Sequence, residues 1–148
     1  MNSNVSQKPQ KYYIEDIEVG QKVKFFKTFH QEDVEKFSEI SGDNNPVHLD
    51  ANYASKTIFK KRVVHGFLTA SLISAAIGTK LPGPGSIYLN QSLKFLAPVF
   101  PDEEVIVELT IKNINQEKRR VIIDTTCICN NKEVLVGEAE ILVESKKK

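Results

Sequence analysis

A chain of 148 residues is the size of one domain and can bury roughly two thirds of the surface its unfolded form exposes. Its hydrophobic fraction of 41% and charged fraction of 26% suit a packed core, and twenty basic against nineteen acidic residues leave a net charge of +1, too little to draw in nucleic acid. The richest apolar run, Phe67 to Ile77, is interrupted by Thr69, Ser71 and Ser74 and falls short of the ~18 residues of a membrane span.

In chain order, residues 1–12 read as a flexible polar leader without the apolar stretch of a signal peptide, which points to a cytoplasmic protein. A single domain is expected over 13–145, followed by a basic tail at 146–148. Val23 to Phe29 reads as a strand. Gln31 to Ser41 reads as a helix with Val34, Phe37 and Ile40 at three-residue spacing, stopped by Gly42. A loop follows from Asp43 to Leu49, and Asp50 is placed to cap a short helix through Ala54 and Ser55. Gly66 to Thr79 is a second helix, apolar or small on nearly every side, and therefore belongs inside the molecule. Gly78 and the Leu81-Pro82-Gly83-Pro84-Gly85 run end it.

Four strand-like segments come next: Ser86 to Phe95, Glu104 to Asn113, Arg120 to Cys129 and Val134 to Val143, with short connections that make antiparallel neighbours. An antiparallel sheet that must cover one apolar helix curls around it, so the expected class is α+β with a hot-dog fold. Cys127 and Cys129 share one strand face at a separation awkward for a disulfide. No Cys or His lies near enough in sequence to complete a metal site, so two buried structural thiols are expected and no metal.

The chemistry concentrates in Ile40-Ser41-Gly42-Asp43-Asn44-Asn45-Pro46-Val47-His48, where a carboxylate and an imidazole stand five residues apart around a proline. Pro46 fixes one dihedral and holds Asn45 extended, which stiffens the loop that presents the pair. Taken singly, Asp43 is explained as a helix terminator and His48 as a satisfied core histidine. Together, with Ala54 at the following small-residue position, they resemble the hydratase signature of the MaoC-like family, which includes the (R)-specific enoyl-CoA hydratases. The similarity runs from about Ile17 to Val143 and takes in the His65-Gly66 segment that opens the second long helix, as well as the loop and strand at Pro82 to Leu89.

The resemblance implies reversible addition of water to trans-2-enoyl thioesters of coenzyme A or acyl carrier protein, with no cofactor. Asp43 and His48 would hold the water and exchange protons, the Gly66 amide would receive the thioester oxygen, and Ser74 and Asn45 would support the site. The physics agrees on Gly66, since a helix N-terminus offers unpaired N–H donors. His65 is assigned to shaping the turn or making a structural hydrogen bond, and His30 to no special duty. Lys56, Lys60, Lys61 and Arg62 form a cluster that could meet carrier phosphates or be a solvated face.

Two rivals stay in view. A hot-dog thioesterase would share fold and substrate without needing the Asp43/His48 pair, and a non-catalytic acyl-binding subunit would not need to keep both residues. No Gly-x-Ser-x-Gly elbow supports serine hydrolysis. A homodimer is expected, because a small curled sheet otherwise leaves strand edges open.

Overall fold

The computed structural model describes residues 8–147. The greater part of the expected leader, 1–7, and the last residue of the tail lie outside the described residues. Four helices and six strands follow a 3-10 turn at Ile14–Asp16: β1 (Lys22–Thr28), α1 (Gln31–Ser41), α2 (Pro46–Leu49), α3 (Ala51–Ser55), α4 (Gly66–Thr79), β2 (Ile87–Gln91), β3 (Lys94–Phe95), β4 (Glu104–Asn115), β5 (Arg120–Cys129) and β6 (Lys132–Leu142). The strands make one antiparallel sheet in the order β1-β4-β5-β6-β2, with β3 also paired to β6.

Period-two alternation explains the long strands. Val105, Val107, Leu109 and Ile111 of β4 point inward, as do Val121, Ile123, Thr125, Cys127 and Cys129 of β5, and the residues between them are half-buried or exposed. This concave face packs on α4 through Leu68, Leu72, Ile73, Ala76 and Ile77, the arrangement the pattern led us to expect. One apolar cluster runs from Ile14 to Val143. At ~1.5–3 kcal/mol for each large aliphatic side chain removed from water, it dominates the stabilisation. Both thiols are free and buried, and burial pushes Cys127 up to about 12, so they act as apolar filling.

The helix ends obey local rules. Gly42, at φ +82°, closes α1 with its N–H on the Ser38 carbonyl. Asp50 Oδ1 accepts from the Tyr53 N–H and caps α3.

Three expectations need correction. The loop from Asp43 to Leu49 contains a full helical turn, α2, which begins where Asn45 caps and Pro46 takes the first helical position. The strand expected over Ser86 to Phe95 is broken in two. Its halves pair with β6 on either side of Gly137, where a Cβ would lie 1.8 Å from the Ser92 carbonyl oxygen. Finally, β2 neighbours β6 rather than β4. The segment 96–103 is long enough to cross the molecule, and β1 fills the place beside β4.

From Gln10 onward the chain is held to the body: the Gln10 N–H donates to the Thr79 carbonyl and the Tyr12 N–H to that of Pro82. Lys146 pairs with Asp16. Among the described residues, no helix is long and apolar enough to cross a membrane.

Candidate active site

Two chain segments converge at the start of α4. The first is the turn from Ser41 to Leu49, in which each polar group fixes the next. Ser41 Oγ donates to the Phe37 carbonyl and accepts from the Asp43 N–H, Asp43 Oδ1 accepts from the Asn45 N–H, and Asn45 Oδ1 accepts from the Val47 N–H. These bonds set Asp43 at the mouth of the turn, exposed, and His48 half-buried on α2. The second segment, Val63 to Gly66, supplies a carbonyl, an imidazole and an amide in succession.

His48 is held by its backbone and its ring. Gln31 Nε2 donates to the His48 carbonyl at 2.9 Å, and His48 Nδ1 lies 2.8 Å from the Val63 carbonyl oxygen. A carbonyl only accepts, so Nδ1 carries the proton and Nε2 keeps its lone pair. One potential ligating atom from each of Asp43, His48 and His65 lies within 4.8 Å of the others. A water donating two hydrogen bonds of about 2.8 Å spans roughly 4.5 Å between its acceptors, so Asp43 and His48 are close enough to share one water. Coordination of a metal suits the cluster less well. The rings of His48 and His65 are stacked, with centroids 3.9 Å apart and planes at 28°, so their in-plane lone pairs run side by side instead of converging.

His48 and Asn45 also line a cavity of about 540 Å³, whose walls include Ile58, Phe59, Val64, Phe95, Leu96 and Leu135. The wall is largely apolar and suits an aliphatic chain. Gly66 lies in the same wall. Among the described residues, no acceptor pairs with its amide, and His65, the N-cap of α4, makes no side-chain capping bond. The amide is therefore a free donor at the positive end of a helix. A Cβ at position 66 would sit 2.7 Å from Phe95 Cε1, so only glycine leaves both the amide and the Phe95 ring where they are.

Asp43, Asn45, His48 and Gly66 thus meet in one place. Ser74 does not join them. It is exposed on α4, eight residues beyond Gly66, which is ~12 Å along the helix axis. The basic cluster divides as well: Lys61 Nζ lies 4.4 Å from the centre of the Phe100 ring, Arg62 donates to the Leu49 carbonyl, and Lys56 and Lys60 are exposed beside Ile58 and Phe59. His30 makes a 2.6 Å contact with Asp102 at the surface, which raises its pKa.

His65 makes the structural hydrogen bond that was one of its two expected duties, but its contact with His48 was not foreseen. It is 2% exposed, its Nε2 lies 2.9 Å from Ser38 Oγ and 3.4 Å from the Asp43 carbonyl oxygen, and Phe37 meets it edge-on. Burial, then the neighbouring His48, lowers its pKa. Nothing local in the sequence shows this, although Ser38 falls four residues after Val34, on the buried face of α1. The Val63 carbonyl was equally invisible, since a backbone acceptor carries no residue signature.

Residues 15–131 match the family described as the MaoC like domain. An (R)-specific enoyl-CoA hydratase of Rhodospirillum rubrum is 44% identical over 91% of this chain and 94% of its own length. A 3-hydroxybutyryl-CoA dehydratase of Methylorubrum extorquens is 43% identical over 90% of this chain and 85% of its own. Among solved structures, an unliganded R-hydratase from Pseudomonas aeruginosa superposes with a TM-score of 0.89 at 43% identity, covering 95% of this chain and 90% of that one.

Proposed function

The chain belongs to the MaoC-like domain family, and from that premise we propose that it is an (R)-specific enoyl-CoA hydratase, adding water reversibly to trans-2-enoyl thioesters. The observation that carries the reading is the closeness of Asp43 and His48, within reach of one shared water, beside a free Gly66 amide.

In the hydration direction, the water oxygen bonds to C3 as His48 Nε2 takes one of its protons. The Asp43 carboxylate accepts the second hydrogen and aims the lone pair. Electron density moves through C2 to the thioester oxygen, where the Gly66 N–H and the helix dipole stabilise the developing charge. A donor so placed is worth ~2.7–4 kcal/mol in comparable sites. The proton removed from water is returned to C2 through the same pair, so atoms and charge balance over the cycle. Because the pair and the amide come from separate elements, the substrate is fixed at two points and presents one face, which supports the (R) product.

The catalytic unit in this reading is the single domain 13–145, working as a homodimer in the cytoplasm. Two free thiols fit a reducing compartment. Incubation with crotonyl-CoA tests the activity: enoyl absorbance falls with no free thiol released, and the product is oxidised by a dehydrogenase specific for the (R) alcohol. Release of free thiol indicates a thioesterase instead, and a predominantly (S) product overturns the stereochemical assignment. The same assay with crotonyl-acyl carrier protein separates the two carriers, coenzyme A being the preferred one in this proposal.

A further inference from the structure

Building on the hydratase reading, we propose that His65 is a positioning residue, holding through Nε2 the last turn of α1 at Ser38, from which the Asp43 turn starts, and holding the plane of the His48 ring through the stack.

An imidazole is an expensive way to fill a hole. His65 is buried, and its Nδ1 has no hydrogen-bond partner. Leaving a buried polar atom unpaired costs stability, which a phenylalanine in the same space would not lose. What phenylalanine lacks is Nε2. That atom reaches the Ser38 hydroxyl on α1 and approaches the carbonyl of Asp43. The Asp43 carbonyl accepts only, so the proton belongs on Nε2, and the atom left unpaired is a bare lone pair. The opposite tautomer would bury an N–H donor without an acceptor.

The other contact concerns His48. Its Nδ1–H bond to the Val63 carbonyl fixes one edge of the ring. The His65 ring, its centroid 3.9 Å away and its plane at 28°, backs the face of His48 and limits its tilt, so that Nε2 stays aimed at the water. The ring that does this must stay neutral, because a second cation against His48 would oppose the proton His48 has to accept. Burial of His65 acts in that direction.

His65 also precedes Gly66 directly, so the group that places the acid–base pair is bonded to the residue that supplies the amide donor. It is absent from the cavity wall. Its action is through Asp43 and His48.

The test uses full-length His65→Phe, His65→Gln and Ser38→Ala, alone and with Ser38→Ala combined with His65→Phe. Phenylalanine keeps the stack and loses the hydrogen bond, glutamine offers an amide nitrogen near Nε2, and Ser38→Ala removes the same bond from the other side. His65→Phe should lower kcat by about tenfold or more with KM within about twofold, as misplacement of reacting groups does. Glutamine should recover part of the loss, and adding Ser38→Ala to His65→Phe should cost little more than His65→Phe alone. Wild-type kcat in His65→Phe or Ser38→Ala overturns the proposal. So does a change confined to KM, or fully independent effects in the double variant. Should His65→Phe fail to fold, Ser38→Ala alone reads the same bond. A wild-type protein inert toward every enoyl thioester would remove the hydratase reading and this role with it.

Discussion

Asp43 and His48 are each ordinary residues for their positions, one after a helix end and one on a single helical turn. Their value lies in what the neighbours leave free. The Val63 carbonyl takes the Nδ1 proton of His48, so the ring nitrogen facing the cavity is an acceptor. The Asn45 amide occupies only one oxygen of Asp43. Asp43→Asn keeps the size but replaces an acceptor with a donor, and His48→Gln removes the base. Each variant should stay folded by circular dichroism and lose about 10²–10⁴-fold in kcat, the usual contribution of general acid–base groups. A variant that keeps most of its activity removes that residue from the mechanism.

Two glycines show how an element's surroundings decide the effect of the same change. At Gly66, the first residue of α4, an added methyl meets the Phe95 ring, the tip of a half-exposed side chain on β3 that can swing aside. At Gly137 on β6, it meets the Ser92 backbone carbonyl at 1.8 Å, which is held by the Ser92 N–H bond to the Glu138 carbonyl and cannot yield alone. Gly137→Ala should therefore lose roughly 1–3 kcal/mol of stability in urea unfolding. Gly66→Ala should unfold close to wild type yet show a lower kcat/KM on crotonyl-CoA, because the displaced ring and the new methyl crowd the amide donor. The reverse pattern would mean that the Gly66 amide has no part in catalysis.

At the scale of the molecule, one copy leaves apolar side chains and a strand edge uncovered. α4 turns Phe67, Ser71 and Ser74 outward, with Phe67 67% exposed, and the sheet ends at β2, where Tyr88 and Leu89 are exposed beside an open strand edge. Such an edge is a template for pairing, and a second copy joined there would close it. Light scattering at micromolar concentration should return twice the mass of the chain. Ser71→Arg, on the outward face of α4, should shift the protein toward monomer and lower activity together; a wild-type monomer removes the dimer from the reading.

What the sequence determined by itself is what a few neighbouring residues control. The all-round apolar pattern placed α4 inside the sheet, Gly42 and Asp50 marked helix boundaries through backbone sterics and capping, and the Asp43-to-His48 segment stood out by its likeness to a family signature, with proline and short polar side chains stiffening it locally. The α2 turn was within reach of the same rules, with Asn45 before Pro46, but one turn is too short to show a period. Only the tertiary structure decided the rest. The choice of β6 as neighbour for β2 depends on where β1 packs, some sixty residues away in the chain. The Val63 carbonyl on His48, the Phe95 ring over Gly66 and the burial of His65 between α1 and α2 are contacts between separate elements. No local pattern specifies them, because each exists only once the core has brought those elements together.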